Sequence, residues 1–222
     1  MKGTGLSSEI VQEPENEPRR RNPAESRQRI LEAGMKHFAR FGLGGARVVD
    51  IIKDANLSHR MLYHYFDSKE QLYLATLEFA YQQIREAEQH LHLEEMAPAE
   101  GVRRLVEFTF DYYVANPEFM ALLSQENLNG GRFIAQSPNL RDMQRPLVQV
   151  LDRLLENGIA QGVFRHRPDS IQFYIDIAGI CYFGLANRHT LSAIFDPAIA
   201  GEAYLAVRRK HVADFLVTSL SV

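Results

Sequence analysis

Apolar residues recur every three or four positions along most of the chain, and each such stretch ends at Gly, Pro or Asn. That period predicts helices with one buried stripe. Residues 23–40 carry Ile30, Leu31, Gly34, Met35 and Phe38, with Phe41 next on the stripe, and Phe41-Gly42 closes the helix. Residues 48–55 place Val48, Ile51, Ile52 and Ala55 on one face. Asn56-Leu57-Ser58 then breaks the pattern: Asn accepts left-handed turn geometry and Ser58 suits an N-cap. In residues 59–66, Leu62 and Phe66 lie four apart and can pack inward. Ser68 with Gln71 three residues on fits a capping box for a long helix over residues 68–92. Further helices are predicted over 98–116, 117–128 and 139–162, from Pro168-Asp169 to about Phe195, and from Pro197–Gly201 to about Leu220. Pro146 should kink the 139–162 helix or mark its true start. Period-two alternation is absent, so the expected fold is all-α.

A short helix, a three-residue turn and a second short helix is the geometry that lays a helix in the DNA major groove. The residues Ala55-Asn56-Leu57-Ser58, Leu62-Tyr63-His64-Tyr65-Phe66 and Ser68-Lys69-Glu70 with Leu72 resemble the DNA-binding segment of the TetR family of transcriptional regulators. The first helix, with Ile30-Leu31, Ala33, Phe38-Ala39 and Phe41-Gly42, is similar to that family's first helix. Asn56 stands where the family has a turn glycine, Arg60 where it often has glycine, Met61 where it often has Thr, and Arg47-Val48 where Thr or Ser is usual. Such changes bear on the target sequence rather than the fold. A looser resemblance to one subgroup runs through Asn116-Pro117-Glu118-Phe119, Glu126-Asn127, Asn187, Thr190-Leu191-Ser192 and Ile194-Phe195.

Charge changes the picture only when its distribution is considered. The formal net charge of −3 over 222 residues does not suggest a nucleic-acid partner. Residues 19–66, however, hold ten Arg/Lys against four Asp/Glu, while the flanking segments 1–18 and 67–222 are both net acidic. A basic module on an acidic body fits a protein that meets DNA at one end. Residues 1–17 are polar and expected to be disordered. Arg19-Arg20-Arg21 can enter the minor groove or lie on phosphates, or be a solvated run. A single cysteine excludes an internal disulfide and a Cys-based zinc site and fits a reducing cytoplasm. The first thirty residues contain no apolar signal core. The longest run free of polar residues, 177–186, is too short to span a bilayer. The division expected is a polar and basic arm (1–22), a helix-turn-helix domain (23–70) and a helical body (71–222).

The resemblance implies a homodimer on an inverted-repeat operator, with the last two helices of each subunit in a four-helix bundle and a small-molecule effector in the body. Helix 169–195 is apolar over most of its circumference, and Gly179 and Gly184 permit close helix approach, so it suits either a partner or a central place in the core. Ser58 is expected to cap the recognition helix. His59, Arg60 and His64 are candidate base readers, and Arg60 can hold guanine O6/N7. Tyr63 and Tyr65 suit phosphate or thymine methyls, and Arg47 and Lys69 suit phosphate. A pocket between helices 99–116, 117–128, 139–162 and 169–195 is expected to be lined by Phe108, Tyr112, Phe119, Phe173, Ile177, Cys181 and Tyr182, which suits an apolar or amphipathic effector. Plain core packing is the competing reading of those seven.

No glycine-rich phosphate loop, metal-ligand spacing or nucleophile motif points to an enzyme or a cofactor. His90 and His92, two apart, do not share a helix face and make a poor metal pair. Cys181 lies in an apolar run, where a thiol behaves as a small hydrophobe. The function expected is a ligand-responsive repressor. A ligand-independent or activating regulator is the alternative, since the position of an operator decides between activation and repression.

Overall fold

The computed structural model describes residues 22–222. The expectations for residues 1–17 and for Arg19-Arg20-Arg21 fall outside that range. Ten α-helices follow in order among the described residues: α1 (Pro23–Gly45), α2 (Val48–Asp54), α3 (His59–Tyr65), α4 (Lys69–Gln89), α5 (Pro98–Ala115), α6 (Pro117–Leu128), α7 (Pro138–Ala160), α8 (Ser170–Ala186), α9 (Arg188–Ile194) and α10 (Glu202–Leu220). Three short 3-10 turns link them at Leu93–Glu95, Ile134–Gln136 and Pro197–Ala200. Among the described residues the only β-type pairing is an isolated bridge between Phe164 and Ser221. No helix is long and apolar enough to cross a membrane among those residues.

Local chemistry places the helix ends at the DNA-module side. Asn22 caps α1 by accepting from the Ala24 amide, and Pro23 occupies the first turn, where its missing N–H costs nothing. Helical geometry stops at Gly42, whose φ of 64° and ψ of 176° only glycine adopts without strain. Asn56 takes φ 50° in the turn between α2 and α3. Ser58 Oγ accepts from Met61 N at 3.3 Å, and Ser68 Oγ accepts from Gln71 N at 3.1 Å, so both predicted caps form.

The buried stripes of α1, α2 and α3 meet over Ile30, Phe38, Ile51, Leu62 and Phe66, and this core continues into the body without a break. Tyr73 on α4 carries the continuity, packing edge-on against Phe38 of α1 and Phe133 beyond α6, with ring centroids 5.0 Å apart in each pair. α1 packs on both α4 and α6, while α4 also reaches α7. The body is then built from α5, α7, α8 and α10 around Leu105, Leu151, Ile177 and Val212, all fully buried.

Three expectations about helix extent change. The helix predicted from Asp169 to Phe195 is two helices. Asn187 ends α8 at φ −101°, and its side-chain amide donates to the Phe183 carbonyl, so it competes with continued helix. α4 stops at Gln89 rather than at residue 92, because His92 turns left-handed at φ 50° to start the next turn. α7 starts at Pro138, capped by Ser137, and stays helical through Pro146. Pro146 is exposed, so the Asp142 carbonyl that loses its helical donor there lies toward solvent.

Candidate nucleic-acid interface and cavity

α3 presents its polar residues outward because only Leu62 of its seven residues is buried. His59, Arg60, Tyr63 and His64 are all exposed on it. The His59 and Tyr63 rings stack one turn apart at 5.8 Å, which steadies the leading edge of the helix. Arg60 has no salt-bridge partner among the described residues. Tyr65 is half-buried and packs on Phe66 and the core. Lys69 sits at the first turn of α4 with its ammonium 3.5 Å from the Gly44 carbonyl. Arg47 precedes α2, and its Nε donates to Asp50 at 2.7 Å. That bond holds the Arg47 guanidinium up and the Asp50 carboxyl down relative to their ordinary values. The eight residues singled out from the sequence therefore fall on one module, five exposed besides the cap Ser58, with Tyr65 and Lys69 half-buried.

The seven residues expected around a pocket in the body fall into two packed groups. Phe108, Tyr112 and Phe119 form an aromatic chain with centroids 5.8 and 5.7 Å apart, extended by Tyr113 to Tyr182. Phe173, Ile177 and Cys181 lie on successive turns of α8 and are buried in the core. The Cys181 thiol donates weakly to the Val106 carbonyl, and burial pushes it up to about 12, far from thiolate chemistry. Phe173 and Tyr182 each border a separate open recess.

A different cavity, of about 270 Å³, opens between α4, the Leu93–Glu95 turn and α7. It is lined by Arg85, Glu88, Gln89, Leu93, Glu94, Met143, Pro146, Leu147 and Val150, none of them among the seven. Those seven side chains pack in or against the core, two of them bordering the recesses just named, and this cavity lies elsewhere. Arg85 and Glu88 are 6% and 5% exposed. Arg85 Nη2 donates to the Tyr174 hydroxyl at 2.9 Å, and its Nη1 lies 2.6 Å from Glu88 Oε2 without hydrogen-bond alignment. Burial outweighs the pull of Arg85 and raises the Glu88 carboxyl to about 7. Glu88 was legible as unusual: Leu77, Ala80, Ile84, Glu88 and Leu91 follow one helical stripe, and it is the single acid on it.

A third surface is apolar and outward. Ile171, Ile175 and Phe183 are exposed on α8 at intervals of four, with Gly179 completing the stripe and nothing within 4 Å of where its Cβ would lie. Tyr204, Val207 and Phe215 are exposed on α10. Gly184, by contrast, faces the chain's own Arg208 on α10.

The comparisons with known proteins agree with this arrangement. Residues 30–76 match the family model described as bacterial regulatory proteins, tetR family, and residues 98–216 match that of the tetracyclin repressor-like C-terminal domain. The HTH-type transcriptional repressor NicS of Pseudomonas putida is 37% identical over 195 residues, 88% of this chain and 92% of the relative. The uncharacterized HTH-type transcriptional regulator YdgC of Bacillus subtilis is 27% identical over 178 residues, 78% of this chain and 86% of the relative. Among solved structures, the transcriptional regulator FadR from Bacillus subtilis in complex with stearoyl-CoA superimposes with a TM-score of 0.64 at 16% identity, covering 87% of this chain and 98% of that one. That last likeness is one of fold. A helix-turn-helix module with an outward polar α3, carried on a helical body and matched by both family models, places the chain in the TetR family of transcriptional regulators, not among enzymes.

Proposed function

We propose that this protein is a repressor that binds an inverted-repeat operator as a homodimer and leaves it when a small molecule occupies the body. The observation that carries the proposal is the exposed row of His59, Arg60, Tyr63 and His64 on α3, held by the left-handed Asn56 turn and a serine cap. A helix fixed at its N-terminal end by Ser58 projects those side chains at base edges when it enters the major groove. Arg60 reads a guanine through O6 and N7. His59 and His64 flank it, and Tyr63 and Tyr65 take backbone or a thymine methyl. Arg47 and Lys69 hold phosphate, Arg47 by exchanging its bond to Asp50. The relative NicS carries the name of a repressor, which favours repression.

The apolar stripes on α8 and α10 support the dimer. A two-fold axis through them puts the same patch on both sides, as closed homodimers require. Two copies of α3 then face half-sites about one DNA turn or a multiple apart. The DNA module comprises residues 23–70 and the body 71–222, with α4 running across that boundary as a single rod. From Lys69 to Glu88 it spans about 28 Å, at about 1.5 Å per residue. A ligand beside Glu88 acts on the far end of the same helix that positions the DNA module. It releases the operator only if it binds the non-DNA state more tightly.

Selection of bound sequences from a random DNA pool tests the reading. An enriched inverted repeat is the expected result. Weak, salt-sensitive binding with no enriched sequence overturns it.

A further inference from the structure

We infer that the Arg85–Glu88 pair is the polar end of the effector site and selects a ring-sized molecule with an amide-type edge, acceptor beside donor. The inference rests on the reading of the body as an effector-binding domain and names the chemistry of that site. Both side chains line the 270 Å³ cavity and are more than nine-tenths buried. Arg85 Nε and Nη1 have no hydrogen-bond acceptor, and neither Glu88 oxygen has a donor. Buried pairs that serve only the fold satisfy these atoms internally, because an orphaned polar group in a low dielectric is costly. Here the guanidinium is bonded at Nη2 alone, to Tyr174. These unsatisfied atoms lie beneath the surface of the void, on two side chains that line it, with Arg85 Nη1 and Glu88 Oε2 2.6 Å apart, so a ligand that enters reaches them by drawing the two groups apart. With Glu88 ionised, above pH about 7, a ligand that matches both accepts from the arginine and donates to the glutamate.

Three other features of the cavity narrow the class. Its volume falls just below the usual range of about 300–1,000 Å³ for ligand sites, which suits a ligand of about one ring. Apart from Gln89 and Glu94, the rest of the lining is apolar: Leu93, Met143, Pro146, Leu147 and Val150. Glu94, exposed at the border, disfavours a strongly anionic ligand. An aromatic carboxamide meets all of these requirements.

The test compares four probes that share a benzene ring and differ in the polar edge: benzamide, benzoate, benzylamine and anisole. Binding to the full-length protein is measured by calorimetry and by the shift in Tm, on the wild type, on Glu88→Gln and on the double variant Arg85→Met/Glu88→Leu. The double variant replaces the pair with apolar side chains of similar size, a change that buried ion pairs tolerate without loss of fold. Benzamide should bind most tightly of the four, and its affinity should fall by about tenfold or more in the double variant. Glu88→Gln keeps one acceptor and should lose less. Equal binding of all four probes, retention of benzamide affinity in the double variant, or no binding by any probe would each overturn the inference. Sequence selection with the double variant separates the two readings. If it still enriches the operator while benzamide affinity ignores the pair, the ligand chemistry fails and the regulator stands. If the wild type enriches no DNA while benzamide binds as expected, the reverse holds.

Discussion

The substitution Phe183→Asp probes the dimer most directly. Phe183 lies at the end of the outward stripe on α8 and is 60% exposed in the single chain. A phenylalanine presents about 200 Å² in all, so about 120 Å² of it remains available for burial by a partner. At about 25 cal/mol per Å², covering that area contributes about 3 kcal/mol. A two-fold interface uses the side chain twice, giving about 6 kcal/mol per dimer, or about four orders of magnitude in the dimer Kd. An aspartate at the same place also brings two like charges together and must be desolvated, so the estimate is conservative. The protomer should be little affected, because the removed ring faces away from its own core and surface changes usually stay within about 0.5 kcal/mol. Sedimentation velocity over a dilution series gives the dimer Kd, and unfolding in urea reports the protomer. A variant that sediments as a dimer at the concentrations where the wild type does would refute the assignment of this face.

Arg60→Ala should weaken binding to the selected operator by about 1–3 kcal/mol and relax one base position; an unchanged base preference on repeated selection removes Arg60 as a reader. Gly42→Ala should cost about 1–3 kcal/mol, since alanine cannot relax at φ 64°, ψ 176° and its Cβ would lie 2.8 Å from Gln125 Oε1 on α6. Equilibrium urea unfolding measures this, and a neutral result would mean that the α1 end is held less firmly against α6 than its packing implies. Glu88 should make stability depend on pH in a definite direction. Its carboxyl rises from 4.5 to about 7 on folding, so between those values the folded chain binds more protons than the unfolded one. Stability therefore falls as pH rises through that window, by up to about 3 kcal/mol. The difference in unfolding free energy between the wild type and Arg85→Met/Glu88→Leu, followed from pH 4.5 to about 7, isolates this contribution; parallel curves would contradict it.

The DNA-module end was almost fully legible because its determinants are local. A serine at the non-helical residue before a helix accepts from an amide three residues on, a contact set within one turn, and Ser58 and Ser68 both do so. Asn56 and Gly42 adopt the positive φ that their residue types favour. The stripe containing Leu62 leaves the neighbouring polar residues no face but the outer one. A short polar competitor inside an apolar run was harder to weigh. Asn187 lies in a stretch whose hydrophobicity argued for one long helix, yet its amide bond to the Phe183 carbonyl divides it.

The location of the cavity depended on packing across helices. Phe108, Tyr112, Phe119 and Tyr182 are the residue types that line pockets and equally those that fill cores, and neither period nor composition distinguishes the two uses. In this fold Phe108, Tyr112 and Phe119 pack on one another, Tyr182 borders a separate recess, and the cavity that holds Arg85 and Glu88 falls beside α7, where Met143, Pro146, Leu147 and Val150 face the end of α4. The sequence by itself determined the all-α class, the approximate helix positions, the Ser58 and Ser68 caps and the outward α3 face, because these depend on residues within a turn or two. Tertiary structure alone decided where the void lies, which apolar faces stay uncovered, and that Arg85 and Glu88 meet with their remaining hydrogen-bonding capacity unspent. Those outcomes depend on which side chains arrive from distant parts of the chain, and a one-dimensional pattern carries no record of the distances between them.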